Sequence, residues 1–134
     1  MSRIVINLMF ILFLIPSLFA QKWTQMRDSS QFYIEKADFQ NARSFAEKAL
    51  NLCTQEEGKE SKNCIDLITY NFNVNYLEGN YQSALVYARQ DSAIRQRVQG
   101  EKSIDYAYSL GNLAKLYKRM SNYKAVSYTH LTLP

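Results

Sequence analysis

Cys53 and Cys64 are separated by ten mostly polar residues, and a pair at that spacing can do one of two things. In an oxidising compartment it closes a short loop as a disulfide, which adds roughly 2–3 kcal/mol by restricting the unfolded chain. Otherwise the two are partly buried thiols whose side chains never face each other. Sequence alone leaves both readings open. Near them, Glu56, Glu57 and Glu60 lie in a polar loop, where a solvated surface accounts for them better than acid–base catalysis. The single histidine is His130, inside a C-terminal stretch that is set apart below. Without it no Ser–His or Cys–His pair can be assembled, and a metal site built on His and Cys lacks ligands. The glycines are isolated and make no phosphate-cradling loop. The expectation is a fragment that is not itself an enzyme and carries neither cofactor nor metal, with any catalysis left to a further C-terminal domain.

The two ends differ in character from the middle. Ser2-Arg3 precedes an apolar run from Ile4 to Ile15, followed by Pro16, Ser17 and the small residue Ala20. That is the layout of a secretory signal peptide over 1–20, too short at about 12 residues for the roughly 20 that cross a bilayer. It predicts export, to a bacterial periplasm or the medium, after cleavage near Ala20. Gln21 follows the cut rather than a cysteine, which gives no support to a lipid anchor. At the other end Val126-Ser127-Tyr128-Thr129-His130-Leu131-Thr132-Leu133-Pro134, read back into codons, resembles the transposase adapter of sequencing libraries translated in one frame. The expectation is that 126–134 is an adapter-derived scar and that the native sequence continues past Ala125. Between these ends, 15 of the 16 lysines and arginines face 12 acidic residues. The basic residues are scattered, so the electrostatic footprint of a nucleic-acid binder is missing.

The middle repeats itself. Ala37-Asp38-Phe39-Gln40-Asn41-Ala42, Gly79-Asn80-Tyr81-Gln82-Ser83-Ala84 and Ser121-Asn122-Tyr123-Lys124-Ala125 are spaced by 42 residues, as are Gly58 and Gly100, and Ser61 and Ser103. Self-similarity at a fixed period signals an array of supersecondary units. Phe39, Ala42, Ala46, Ala49 and Leu50 fall on one face of a helix, as do Tyr106, Leu110, Leu113, Ala114 and Tyr117. Helices are predicted near 23–36, 38–53, 63–78, 80–97 and 104–120. Short turns should centre on Ala37-Asp38, Gly79-Asn80 and Ser121-Asn122, with Gly79 ending one helix and Asp38, Asn80 and Asn122 capping the next. No alternation of strand type is sustained, and the fold class is all-α.

Gly79-Asn80-Tyr81 followed at the right distance by Ala84 resembles the hairpin signature of tetratricopeptide repeats. The 42-residue period, with Gly100 before Ile104-Asp105-Tyr106-Ala107-Tyr108-Ser109-Leu110-Gly111-Asn112-Leu113-Ala114, looks like the longer kinesin-light-chain type. A HEAT or armadillo array fits such a period but not this turn. The likeness spans about 31–125 and is weakest in the second A helix, where Asn71 and Phe72 stand in for Leu113 and Ala114. It implies an α-solenoid of antiparallel hairpins over about 24–57, 63–99 and an incomplete 104–125. It also implies a concave groove lined by Arg27 and Gln31, by Thr69, Asn73 and Tyr76, and by Asn112, Lys115 and Arg119. Amides and cations together suit an extended peptide with acidic side chains. The implied function is a protein–protein interaction scaffold with a peptide or protein partner, no nucleic acid and no small-molecule cofactor, meeting a membrane only through export or a missing segment. An alternative is the N-terminal sensing or partner-binding region of a larger enzyme, a protease-like protein or a sensor kinase.

Overall fold

The backbone of residues 22–132 and the side chains of 22–124 are described by a computed structural model. The expected signal peptide, 1–20, lies outside the described residues, as do the side chains of the adapter-like tail. Every element among the described residues is a helix: α1 (residues 22–35), α2 (Phe39–Glu57), α3 (Lys62–Glu78), α4 (Tyr81–Gln99) and α5 (Ile104–Thr132). None of them is long and apolar enough to cross a membrane.

Helix ends are set by a small set of hydrogen bonds, and the set returns after 42 residues. The Asp38 carboxylate accepts from Asn41 N–H at the start of α2, and the Asn80 amide oxygen from Ser83 N–H at the start of α4. Each satisfies a backbone donor that the first helical turn leaves free. Just before them, Ala37 N–H donates to Ile34 O and Gly79 N–H to Tyr76 O, while Asp38 N–H donates to Tyr33 O and Asn80 N–H to Asn75 O. These turns need a left-handed residue. Gly79 takes φ 81° and Ala37 takes φ 56°, the alanine against its steric preference. A Cβ added at Gly79 would meet nothing within 4 Å, so dihedral angle and not space selects glycine there.

The longer connections repeat as well. Gly58 N–H donates to Thr54 O and Gly100 N–H to Gln96 O, both glycines at φ 89°. Ser61 Oγ then accepts from Cys64 N–H and Ser103 Oγ from Tyr106 N–H, each at 3.1 Å. The stop at Gly58 carries α2 four residues past its expected end at 53, because Thr54, Gln55, Glu56 and Glu57 tolerate a helix and nothing earlier interrupts it.

The chain divides into two units, Met1–Cys64 and Ile65–Pro134, with the division inside α3. In the first unit Ala42, Ala46 and Ala49 are wholly buried along α2. The buried Ser30 hydroxyl of α1 donates to Ala42 O at 2.7 Å, and Tyr33 stacks on Phe45 with centroids 5.4 Å apart. In the second unit Phe72 of α3, Ala84 and Ala88 of α4 and Leu116 of α5 form the core, flanked by Tyr76, Tyr81, Leu85 and Leu113.

The third turn differs from expectation. α5 runs unbroken through Ser121-Asn122 to Thr132. The repeat register has valine at 126 where Ala42 and Ala84 stand, so the third period lacks the small residue that is wholly buried in the first two. The buried side of α5 also differs: it is Ser109, Asn112 and Leu116, while Leu110 and Tyr117 are each 43% exposed. Leu110 and Ala114 occupy the register of Ile68 and Phe72. Phe72 packs against Ala84 and Ala88 of α4, and no described helix covers α5 in that way.

Ala84→Leu should destabilise the protein by about 1–3 kcal/mol through overpacking, read as a lower midpoint in urea unfolding. An unchanged midpoint would show that the alanine contact does not hold α3 and α4 together.

Candidate functional site

Tyr76 lies near the end of α3, half-buried, its ring 5.8 Å from those of Phe72 and Tyr81. Two cations from α5 reach it. Lys115 Nζ sits 4.4 Å from the ring centroid, and Arg119 Nε donates to the Tyr76 hydroxyl at 3.0 Å. That hydrogen bond raises the Arg119 pKa further, so the guanidinium stays charged at any physiological pH. Lys115 and Arg119 are four apart on α5 and share a face. One turn before Lys115 is Asn112, 8% exposed, whose Nδ2 has no hydrogen-bond partner among the described residues. Asn73, one turn before Tyr76, is exposed. The second unit thus gathers Tyr76, Lys115 and Arg119 into one cluster of cation, phenol and cation.

The other expected residues are placed differently. Asn112 is buried rather than presented to solvent. Thr69 is engaged: its hydroxyl accepts from Arg95 Nη2 at 3.0 Å and hydrogen-bonds Asp91. In the first unit Arg27 pairs with the adjacent Asp28 at 3.0 Å, and Gln31 donates to Glu35. Neither lines that unit's open cleft of about 600 Å³, whose walls include Met26, Phe32, Tyr33 and Phe45.

Sequence reading passed over the group that holds Thr69. Arg95 of α4 donates through Nε to Asp91 at 2.8 Å, and its other nitrogens reach Asp66 at 3.3 Å and Asp105 at 3.4 Å. Arg95 and Asp91 side chains are 8% and 2% exposed. Burial is the dominant influence on Asp91 and raises its pKa, against the hydrogen bond and charge of Arg95 and the Thr69 hydroxyl. For Arg95 burial opposes the charge, but Asp91 and Asp66 outweigh it and its pKa rises too. An aspartate four residues before an arginine on a helix was the available signal. A second was the register, since Asp91 and Arg95 fall where Ala49 and Cys53 stand one period earlier.

At that earlier position Cys53 is joined to Cys64 by a disulfide with Cα atoms 5.6 Å apart, inside the range that such bonds need. Both sulfurs are fully buried. Glu57 lies beside them, accepting from Trp23 Nε1 at 3.2 Å and from Asn63 Nδ2 at 3.0 and 3.2 Å.

Two outcomes follow. Arg95→Met leaves Asp91 buried without its partner and should cost about 3–5 kcal/mol at neutral pH. Asp91 then prefers its neutral form more strongly, so the folded state binds its proton at higher pH than the unfolded chain. The loss should shrink as pH falls through that raised value, and urea unfolding at pH 7 and pH 4.5 measures the difference. Reduction of Cys53–Cys64 should lower stability by about 2–3 kcal/mol, while non-reducing peptide mapping recovers the two cysteines in one cross-linked fragment.

No protein-family model matches this chain, and no curated protein aligns with it.

Proposed function

We propose that this chain is an exported peptide-binding module of the tetratricopeptide type, which grips an acidic segment of a protein partner beside Tyr76, Lys115 and Arg119. The observation that carries the reading is that cluster. Two charged donors flank one half-buried phenol, and a buried amide donor without a hydrogen-bond partner among the described residues lies one turn away. A carboxylate arriving there meets guanidinium and ammonium together, which is how acidic peptides are held. The ring of Tyr76 offers an apolar floor at little entropic cost.

Support for the repeat type comes from the 42-residue recurrence of caps and turns, with Asp38 and Asn80 in the same role and Ala42 and Ala84 both fully buried. Support for export comes from the basic and apolar start of the chain and from a disulfide, a bond characteristic of oxidising compartments.

A display library of peptides, selected on the folded protein, tests the proposal. Selected peptides should be rich in Asp and Glu. Their affinity should fall at least about tenfold in the triple variant Asn73→Ala, Lys115→Ala, Arg119→Ala. Stability should change by less than about 0.5 kcal/mol, since the three positions are exposed. Peptides with no acidic bias, or ones that the triple variant still binds, would overturn the assignment.

A further inference from the structure

The sulfur pair has a third potential ligand beside it. The two Sγ atoms and a carboxylate oxygen of Glu57 all lie within 4.8 Å of one another. We propose that, once the disulfide is reduced, Cys53, Cys64 and Glu57 form a binding site for a thiophilic divalent cation of the Zn²⁺ class. Two thiolates and a carboxylate are three of the four positions of a tetrahedral site, and water completes it as in zinc sites with an open position. A count of histidines and cysteines alone overlooks this set, because its third member is an acid.

The surroundings are those of a prepared site. Cys53 and Glu57 are four residues apart and share a face of α2. Cys64 is the third residue of α3, in the first turn of the helix, where the positive end of the helix dipole favours a thiolate. With Zn–S bonds of about 2.3 Å, tetrahedral geometry separates two sulfurs by roughly 3.8 Å. The 5.6 Å between the Cα atoms accommodates that by side-chain rotation. Glu57 is exposed yet held in place: Asn63 donates to both its oxygens and Trp23 to one. Outer partners of this kind orient a ligand and strengthen it. The cysteines are buried and Glu57 is exposed, so the cation approaches from the glutamate side.

The chemistry balances with a dithiol as reductant. The dithiol gives two electrons and two protons, the S–S bond breaks, Cys53 and Cys64 become thiols, and the dithiol closes to its own disulfide. Binding of Zn²⁺ then displaces both thiol protons to solvent. The same two ends of chain are thereby tied by sulfur in one redox state and by metal in the other.

The whole chain, reduced and kept anaerobic, is titrated with Zn²⁺ and separately with Co²⁺. Trp23 is the only tryptophan and hydrogen-bonds a proposed ligand, so its fluorescence should change and saturate at one equivalent of Zn²⁺. Co²⁺ should give tetrahedral d–d bands with a sulfur charge-transfer band. The oxidised protein should show neither change. Cys53→Ser with Cys64→Ser should abolish binding, and Glu57→Gln should weaken it by about tenfold or more, the range seen when metal-site partners are removed. Should reduction unfold the chain, Zn²⁺ should restore the helical circular dichroism of the wild type and not of the double serine variant. Binding by the reduced wild type no tighter than by the double variant would falsify the proposal, as would full Zn²⁺ affinity in Glu57→Gln.

Discussion

Close approach of helices at alanine is the constraint from which the other features follow. Ala42, Ala46 and Ala49 in the first unit and Ala84 and Ala88 in the second are 0–1% exposed. One buried methyl contributes only about 0.8 kcal/mol by transfer. The larger effect is indirect, because a side chain that ends at Cβ lets the neighbouring helix come near enough for long residues to interlock around it. Phe72 and Leu116 close over Ala84 and Ala88 in this way. In the first unit the same nearness lets the Ser30 hydroxyl bond the backbone oxygen of Ala42. The tight turns are a further requirement, since only a left-handed residue at 37 and 79 reverses the chain within so short a span.

The connections are fastened by different chemistry at one and the same register. Where the first unit places Cys53 and a covalent bond, the second places Arg95 and three carboxylates. A disulfide acts mainly by narrowing the unfolded ensemble and is indifferent to salt. An ion cluster around a buried guanidinium depends on protonation and on every partner being present, and its net worth over a hydrophobic replacement is small. The two devices therefore respond to different stresses, redox for one and pH for the other.

Legibility in the sequence tracked how local each cause was. Caps, glycines and alanines act within a few residues of themselves, so Asp38, Asn80, Gly79 and Ala84 could be placed from pattern alone, although the stop at Gly58 could not. Features set by distant partners could not. Thr69 reads as a free hydroxyl until Arg95, a helix away, claims it. Asn112 reads as an exposed amide, yet it shares the buried side of α5 with Ser109 and Leu116. Leu110 and Tyr117 match a helical core face perfectly well, but periodicity states only that a face is apolar and never whether another helix covers it. The Tyr76 cluster was half legible: the helical faces of Lys115 and Arg119 follow from spacing, whereas their meeting with a residue of α3 is tertiary.

The hydrogen bonds that end and begin these helices each span two to five residues, from Gly79 N–H to Tyr76 O and from Ser83 N–H to Asn80 Oδ1. None reaches into the neighbouring period. A stretch of 42 residues copied in tandem by gene duplication would carry its whole set of stops and starts with it, leaving those of the older copies undisturbed. Positions that the local set does not use can then differ from one period to the next, as cysteine at 53 and arginine at 95 do.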